Sequence, residues 1–311
     1  MIKKSKVSLS SISWLSTLNG GGYINNFYEP ENIEELIELC SGFFKSGLTF
    51  DLIGHTSNTL YDPDYICERM VSTRKLKKFL IKDDCIICEC GTPVKSLCLA
   101  AVEEGIKGFE GMIDLPGTVG AALYGNAGCY GCSLSGLLEK ATILCSDGHV
   151  VDVTPQWFDF SNRSSVLKRA EISAIVIKAQ FRRVNGDLEE IKQTANNNHL
   201  NRKTTQPEAK NSLGSIFANS GQATILNKML RLITKLYGIC FHILGYDHVT
   251  VEEKRKKLLF LLLNARDVEP YIRTWNWYQW KDAQSYELFW KFVKLHKIMF
   301  TNSIFEIEIK K

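Results

Sequence analysis

Through its first 186 residues the chain alternates short apolar runs with amphipathic stretches, and beyond them it turns mainly helical. After Pro30, the apolar positions Ile33, Leu36, Ile37, Cys40 and Phe44 recur on one helical face, and Gly47 closes the helix. Leu52 and Ile53 read as a short strand running into the polar loop GHTSNTLYDPD. A second helix spans Val94 to Glu104, apolar at Leu97, Cys98, Ala101 and Val102, and stops at Gly105. The pattern then predicts strands at Ala141–Leu144, His149–Val153 and Ala174–Phe181, and a polar helix from Asp187 to Asn201. A loop, RKTTQPEAKNSLGSIFANSG, leads to a helical remainder from Thr224 that ends on a strand at Ile304–Ile309. The composition shifts near Gly186. The expected organisation is α+β: two αβ subdomains over residues 1–70 and 71–186, then a third domain over 187–311.

At 311 residues, 45% hydrophobic and 23% charged, the chain has the composition of an ordinary globular protein. Its net charge of +4 is too weak to imply nucleic acid, but suits an anionic substrate. The longest apolar run, Leu258 to Leu263, is far too short to cross a bilayer, and MIKKSKVSLSSISWL lacks the apolar centre of a signal peptide. The expectation is a cytoplasmic monomer with no nucleic-acid or membrane partner and with reduced cysteines.

Two clusters invite a chemical reading. Cys85, Cys88 and Cys90 form a CxxCxC run inside DDCIICECGTP, which reads as a strand entering a turn. Its first two thiols would point to opposite faces, and no second cysteine or histidine pair completes a tetrahedral metal set, so buried packing is expected and no metal site. Trp275, Trp277, Trp280 and Trp290 could stack a base or a sugar or meet a protein. Tyr286, Phe289, Trp290 and Val293 share one helical face, however, which favours core packing.

Three glycine segments look more like binding loops: Gly20 to Gly22, Gly54 with Thr56, Ser57, Asn58 and Thr59, and Pro116-Gly117-Thr118-Val119-Gly120. Glycine lets a backbone turn sharply or approach a ligand closely, and amides and hydroxyls in such loops cradle phosphate oxygens. Each loop is expected directly after a strand. Thr118 is placed to cap a short helix, Val119–Gly125, whose N-terminus would attract anionic oxygen. The dinucleotide fingerprint GxGxxG is absent.

These loops resemble those of a known family. GHTSNTLYD is similar to its GxGSNxL flavin loop, and GFEGMIDLPGTVGAALYGNAGCYG, with Asn126 and Gly128, follows its GLEfxxGIPGTVGGAvxxNAGAYG stretch almost position by position. FSNRSSVLK resembles FxYRxSxFK, QPEAKNSLGSIFAN resembles QPxxxPSAGSxFKNP, and the closing IFEIEIKK resembles LEPEVxxxG. The family is that of UDP-N-acetylenolpyruvoylglucosamine reductase. The resemblance implies an FAD-binding fold of the vanillyl-alcohol-oxidase (PCMH) type, with non-covalent FAD, NADPH as electron donor and a nucleotide-sugar substrate. It makes Arg163, Ser215 and Glu308 the catalytic residues. Hydride would add to the enolpyruvyl group, leaving negative charge over C2 and the carboxylate. Arg163 would pair with that carboxylate, Glu308 would hold Arg163 or polarise the same group, and Ser215 would protonate C2.

Departures from the family pattern are specific. Thr56 replaces a flavin-loop glycine and would crowd the pyrophosphate, Asn162 replaces the tyrosine before Arg163, and Ala218 and Ser220 replace a lysine and a proline. The family's HxNFIVN stretch has no counterpart between Thr224 and Leu295. The expectation is therefore a reductase for peptidoglycan precursor synthesis. The alternatives are a flavoprotein for another nucleotide-sugar, or an FAD-binding protein without turnover.

Overall fold

A computed structural model describes residues 4–5, 10–206, 211–219, 221–282 and 284–311. Part of the Gln206–Asn219 motif, residues 207–210, and also Ser220 lie outside the described residues. The chain divides into two compact units, Met1–Gln206 with Ile309–Lys311, and Pro207–Glu308.

The first unit is built mainly on two sheets, of four and five strands. Helix α1 (Ile33–Lys45) starts where the Asn32 side chain accepts the Glu35 amide, with Glu34 and Glu35 in its first turn and Lys45 in its last. Its apolar face buries Leu36 and Cys40 with Val71, Leu144, Ile175 and Ile177 in a core that joins residues of both sheets. The smaller sheet orders Lys4–Ser5, Phe27–Tyr28, Met70–Ser72 and Asp51–Ile53, the last three mutually parallel. Strand Met70–Ser72 lies across the expected 70/71 division.

The larger sheet is antiparallel, in the order Val150–Val153, Leu138–Cys145, Ala174–Arg182, Cys85–Glu89 and Phe79–Ile81. Helices α2 (Val94–Glu103) and α3 (Val119–Tyr124) contribute Val94, Leu97, Val119 and Leu123 to its core. The polar helix α4 (Leu188–Thr205), capped by Asp187, is anchored there through Ile191 and Ala195. The composition shift at Gly186 therefore marks the start of α4, and the chain leaves the unit only at Gln206. Cys88 and Cys90 are buried, and burial pushes the Cys90 thiol up to about 12. Both behave as small apolar core residues.

The second unit carries α5 (Ile225–Ile243), α6 (His248–Leu262) and α7 (Ser285–Met299). Phe289 and Phe292 of α7 pack on Tyr278, and Trp280 lies 5.2 Å from Phe289. Trp275 stacks on Phe260. The tryptophan-rich segment is thus largely core, as the helical spacing predicts. The closing strand differs from the sequence expectation: it covers Glu308–Lys310, while residues 304–307 form no strand and contribute an isolated bridge, Phe217–Phe305. Alternating Ile304, Glu306 and Glu308 imitate a strand, but single backbone bonds to Ile216 and Ala218 take the place of a ladder there.

Candidate functional site

Two glycine loops of the first unit lie against each other. Gly54 directly follows strand Asp51–Ile53, and a Cβ at Gly54 would fall 2.3 Å from Thr118 Oγ1. That contact explains the glycine by packing between loops. Gly117 has φ +106°, and a Cβ there would meet Ser57 Oγ at 3.2 Å. Pro116 and Gly117 follow a run of turns from Ile106 to Leu115, whereas the sequence suggested a preceding strand. The Gly20–Gly22 segment likewise precedes a strand, Tyr23–Ile24, and follows turns. Repeated glycine and apolar pairs in GFEGMIDL mimic strand edges, but here they make consecutive turns.

Thr118 precedes α3, with extended backbone and no side-chain cap bond. The Val119 amide donates to Thr92 O and the Gly120 amide to Cys90 O. The helix start is therefore used by the protein itself. This corrects the expectation of an anion site at that terminus, which had counted those amides as unpartnered. Anion-binding capacity shifts to the loop from Gly54 to Thr59.

In that loop Thr56 has φ +57°, which is strained for a β-branched residue. Its hydroxyl donates toward Leu15 O (2.9 Å) and His55 O (2.7 Å) and accepts the Thr17 amide at 3.1 Å. Thr56 is buried, so the methyl-bearing side chain is committed to the segment before Gly20. Arg74 Nε donates to Gly54 O at 2.8 Å and Nη2 to Leu15 O at 2.5 Å. Burial, with the Arg74 charge beside it, pushes the His55 pKa below the usual imidazole value. A positive-φ residue followed by successive amides is a component of anion nests, so Ser57 and Asn58 suit a phosphate, while the Thr59 amide donates to Thr56 O at 3.2 Å. Thr59 opens strand Thr59–Tyr61. The residues present fit a dinucleotide such as FAD, and Thr56 takes the glycine's backbone conformation at the cost of strain.

A second constellation surrounds Arg163. Ser161 and Ser164 exchange backbone bonds of 3.1 Å, closing a tight turn in which Arg163 has φ +55°. Its Nη2 donates to Gly128 O at 2.7 Å and Nη1 to Asn126 O at 3.4 Å. Asn126, itself at φ +45°, donates through Nδ2 to Ser161 O (2.6 Å) and accepts Ser135 Oγ at 2.6 Å. Buried Ser165 donates to Tyr124 O at 2.6 Å, tying the same turn to the end of α3. Two strained residues on two loops thus lock each other and fix a planar guanidinium. Such strain persists only where the surroundings over-determine it. Sequence reading did not single out Ser135 or Ser165. Their side-chain bonds cross more than the local window, although Ser165 is the second serine of FSNRSS.

Ser215 and Glu308 belong to the second unit, and Arg163 to the first. Ser215 Oγ accepts Trp277 Nε1 at 3.1 Å, and its backbone bridges Trp277. An indole can only donate, so the serine keeps its own proton outside that bond. On the other side, Phe217 bridges Phe305 antiparallel, and Glu306 N donates to Ile216 O. Continued, that register sets Ser215 opposite Ile307, the residue before Glu308. Ser215 and Glu308 are half-buried, and Ile307 between them in that register is buried. Trp277, read from sequence only as part of an aromatic group, is therefore the direct neighbour of Ser215.

The family described as an FAD binding domain matches residues 25–154. A UDP-N-acetylenolpyruvoylglucosamine reductase of Caldicellulosiruptor saccharolyticus is 32% identical over 204 residues, 65% of this chain and 65% of that protein. A UDP-N-acetylenolpyruvoylglucosamine reductase 2 of Bacillus cereus is 30% identical over 197 residues, 63% of this chain and 64% of that protein. The match thus spans a little under two thirds of these relatives' own length. The crystal structure of such a reductase from Thermus caldophilus aligns over 100% of both chains with a TM-score of 0.70 at 19% identity. The fold is accordingly α+β, with an FAD-binding part of the PCMH type.

Proposed function

We infer that this chain is a member of the UDP-N-acetylenolpyruvoylglucosamine reductase family and an FAD-dependent oxidoreductase that reduces the enolpyruvyl group of UDP-N-acetylglucosamine enolpyruvate with electrons from NADPH. Its product would be UDP-N-acetylmuramate, a peptidoglycan precursor. The observation that carries this reading is the locked Arg163 turn, a fixed cation built from the family's own motif residues Asn126 and Gly128.

The loop from Gly54 to Thr59 and the adjoining Pro116–Gly120 loop would hold the dinucleotide, the first by amides and hydroxyls, the second by the close backbone at Gly117. Bound there and reduced by NADPH, FAD would supply the hydride for the enolpyruvyl double bond. Arg163 pairs with the substrate carboxylate and stabilises the charge that builds on it, an effect of a few kcal/mol, about the scale of one oxyanion donor. Lysine would not serve, because the turn presents a fork. Glu308 polarises the same carboxylate. Ser215 gives its proton to C2, with Trp277 fixing the oxygen so that the hydrogen points elsewhere.

The test is stopped-flow spectroscopy of the yellow protein, following bleaching by NADPH and then reoxidation with enolpyruvyl substrate. Rapid reoxidation by UDP-N-acetylglucosamine enolpyruvate is the expected result. A bleached protein that this substrate does not reoxidise would exclude the reading. One observation favours the alternative of another nucleotide-sugar: helices α5 and α6 fill the stretch where the family's HxNFIVN segment is missing.

A further inference from the structure

Helix α5 has its hydrophobicity the wrong way round for a helix of a globular unit. Its buried positions are Asn227, Leu230, Thr234 and Gly238, mostly polar or small. Asn227 Nδ2 donates to Met299 O at 3.1 Å, and Gly238 leaves room for the Arg255 stem, which a Cβ would meet at 2.6 Å. The outward side is apolar instead. Ile225, Met229, Leu232, Leu236, Ile239 and Ile243 recur at alternating steps of four and three, and Ile225 and Ile243 are 78% and 79% exposed. A second apolar row runs beside them through Leu226, Ile233 and Leu244, also exposed. At 3.6 residues per turn the two rows cover roughly 160° of the helix and run roughly 28 Å along it. An apolar surface of this continuity marks an interaction site.

Charge decides between occupants. Lys228, Arg231 and Lys235 form an exposed row along one margin of the apolar face, and no Asp or Glu occurs between Ile225 and Ile243. A second copy would present the same surface to itself, since a two-fold contact pairs like with like. Cations would then face cations or the leucine row, without a countercharge, and a two-helix seam would leave the second apolar row in water. An anionic lipid surface answers both features. It accepts a wide apolar face at the headgroup boundary and neutralises a basic margin.

We propose that α5 is an interfacial helix that seats the second unit on anionic lipid. This departs from the sequence expectation of no membrane partner. It is consistent with the absence, among the described residues, of any helix long and apolar enough to cross a membrane.

The test is flotation of the full-length protein with vesicles of phosphatidylcholine alone or mixed with phosphatidylglycerol. Binding should require phosphatidylglycerol and weaken as salt is raised. Replacing Lys228, Arg231 and Lys235 together by Glu should weaken it by roughly 10²-fold or more, the scale expected for three cations at the surface. Leu232→Glu with Leu236→Glu should abolish it. All five positions are exposed, so circular dichroism and melting should match the parent. Three results would overturn the proposal. They are failure of the folded parent to float with anionic vesicles, equal binding to neutral ones, and a concentration-dependent dimer in sedimentation that Leu236→Glu dissolves while lipid is ignored.

Discussion

At the scale of single residues, the unusual feature is that key positions carry left-handed backbone without glycine. Thr56 shows how magnitudes decide. Glycine there would relieve about 1–2 kcal/mol of left-handed strain. It would also delete a buried hydroxyl that bonds Leu15 O and the Thr17 amide, each bond contributing about 1 kcal/mol, with a further cost for the amide left unsatisfied. Thr56→Gly is therefore expected to lower stability by about 1 kcal/mol in denaturant melts, although it restores the family's own residue. Arg163→Lys should lose nearly as much reductase turnover as Arg163→Ala, since a point charge cannot hold Gly128 O and a carboxylate in one plane. Turnover within about tenfold of the parent would refute the fork argument. Ser215→Ala should leave reduction by NADPH near normal while slowing reoxidation by substrate at least about 10²-fold, the usual scale for a positioned acid. Trp277→Phe, which keeps the ring but not the donor, should slow reoxidation alone by about tenfold. Equal slowing of both half-reactions would reduce Ser215 and Trp277 to structural residues.

At the scale of elements, helix α7 makes the clearest prediction, because His296 is buried in an aromatic stack. Its ring lies 3.8 Å from Phe217 and 4.8 Å from Phe300, with Ser303 Oγ 3.3 Å from Nδ1. Burial pushes its pKa from 6.5 to about 4. The folded state thus holds the neutral ring, while the unfolded chain takes a proton from pH 6.5 downward. Stability should be constant above that pH and fall between 6.5 and about 4, by up to about 3 kcal/mol. His296→Phe keeps the stack and removes the titration. Calorimetry should find its melting temperature less sensitive over that window than the parent's, and parallel curves would show that His296 is not the acid-sensitive group. Nothing in the local sequence marks this histidine as buried, because LHKIM reads as the polar end of a helix. Other elements were legible. The period-3.6 face of α1, the helix that stops at Gly105 and the strand Ala174–Arg182 carry their signals within one window. The loop from Gly54 to Thr59 and the Asn126–Gly128 motif stand out in the sequence only by resemblance. What escaped depends on long-range partners: the amides of α3 consumed by Thr92 and Cys90, the Ser135 and Ser165 ties, and Trp277 on Ser215. Helix α5 was legible only as part of a helical remainder, and only the fold shows that its apolar rows face outward.

At the scale of the whole molecule, the chain's end is what the sequence could place only by resemblance. The last three residues belong to the first unit, and Glu308 immediately precedes them. Lys310 O accepts the Asp62 amide at 2.8 Å, and Lys310 Nζ meets Asp51 Oδ1 at 2.9 Å. The same carboxylate accepts Tyr65 OH at 2.6 Å, so the tail is held at a half-buried point between two strands. The Lys310 side chain is itself 36% exposed, so Lys310→Ala should cost only about 1 kcal/mol or less. The Lys310 side chain therefore does little for the first unit's stability, and that separates two roles. If Glu308 acts on the substrate, deleting residues 304–311 should abolish turnover while the protein stays yellow, because the loops proposed to hold FAD lie elsewhere in the first unit. Glu308→Gln in the full chain, which keeps a hydrogen bond but not the charge, should lose less than the deletion. Lys310→Ala should lose almost nothing. Flavin absorbance after gel filtration and reoxidation by enolpyruvyl substrate read the two roles apart. A truncated chain that still reoxidises its flavin would remove Glu308 from the chemistry and leave the tail as a clasp. A colourless one would mean that the clasp, small as its energy is, holds the dinucleotide loop in shape.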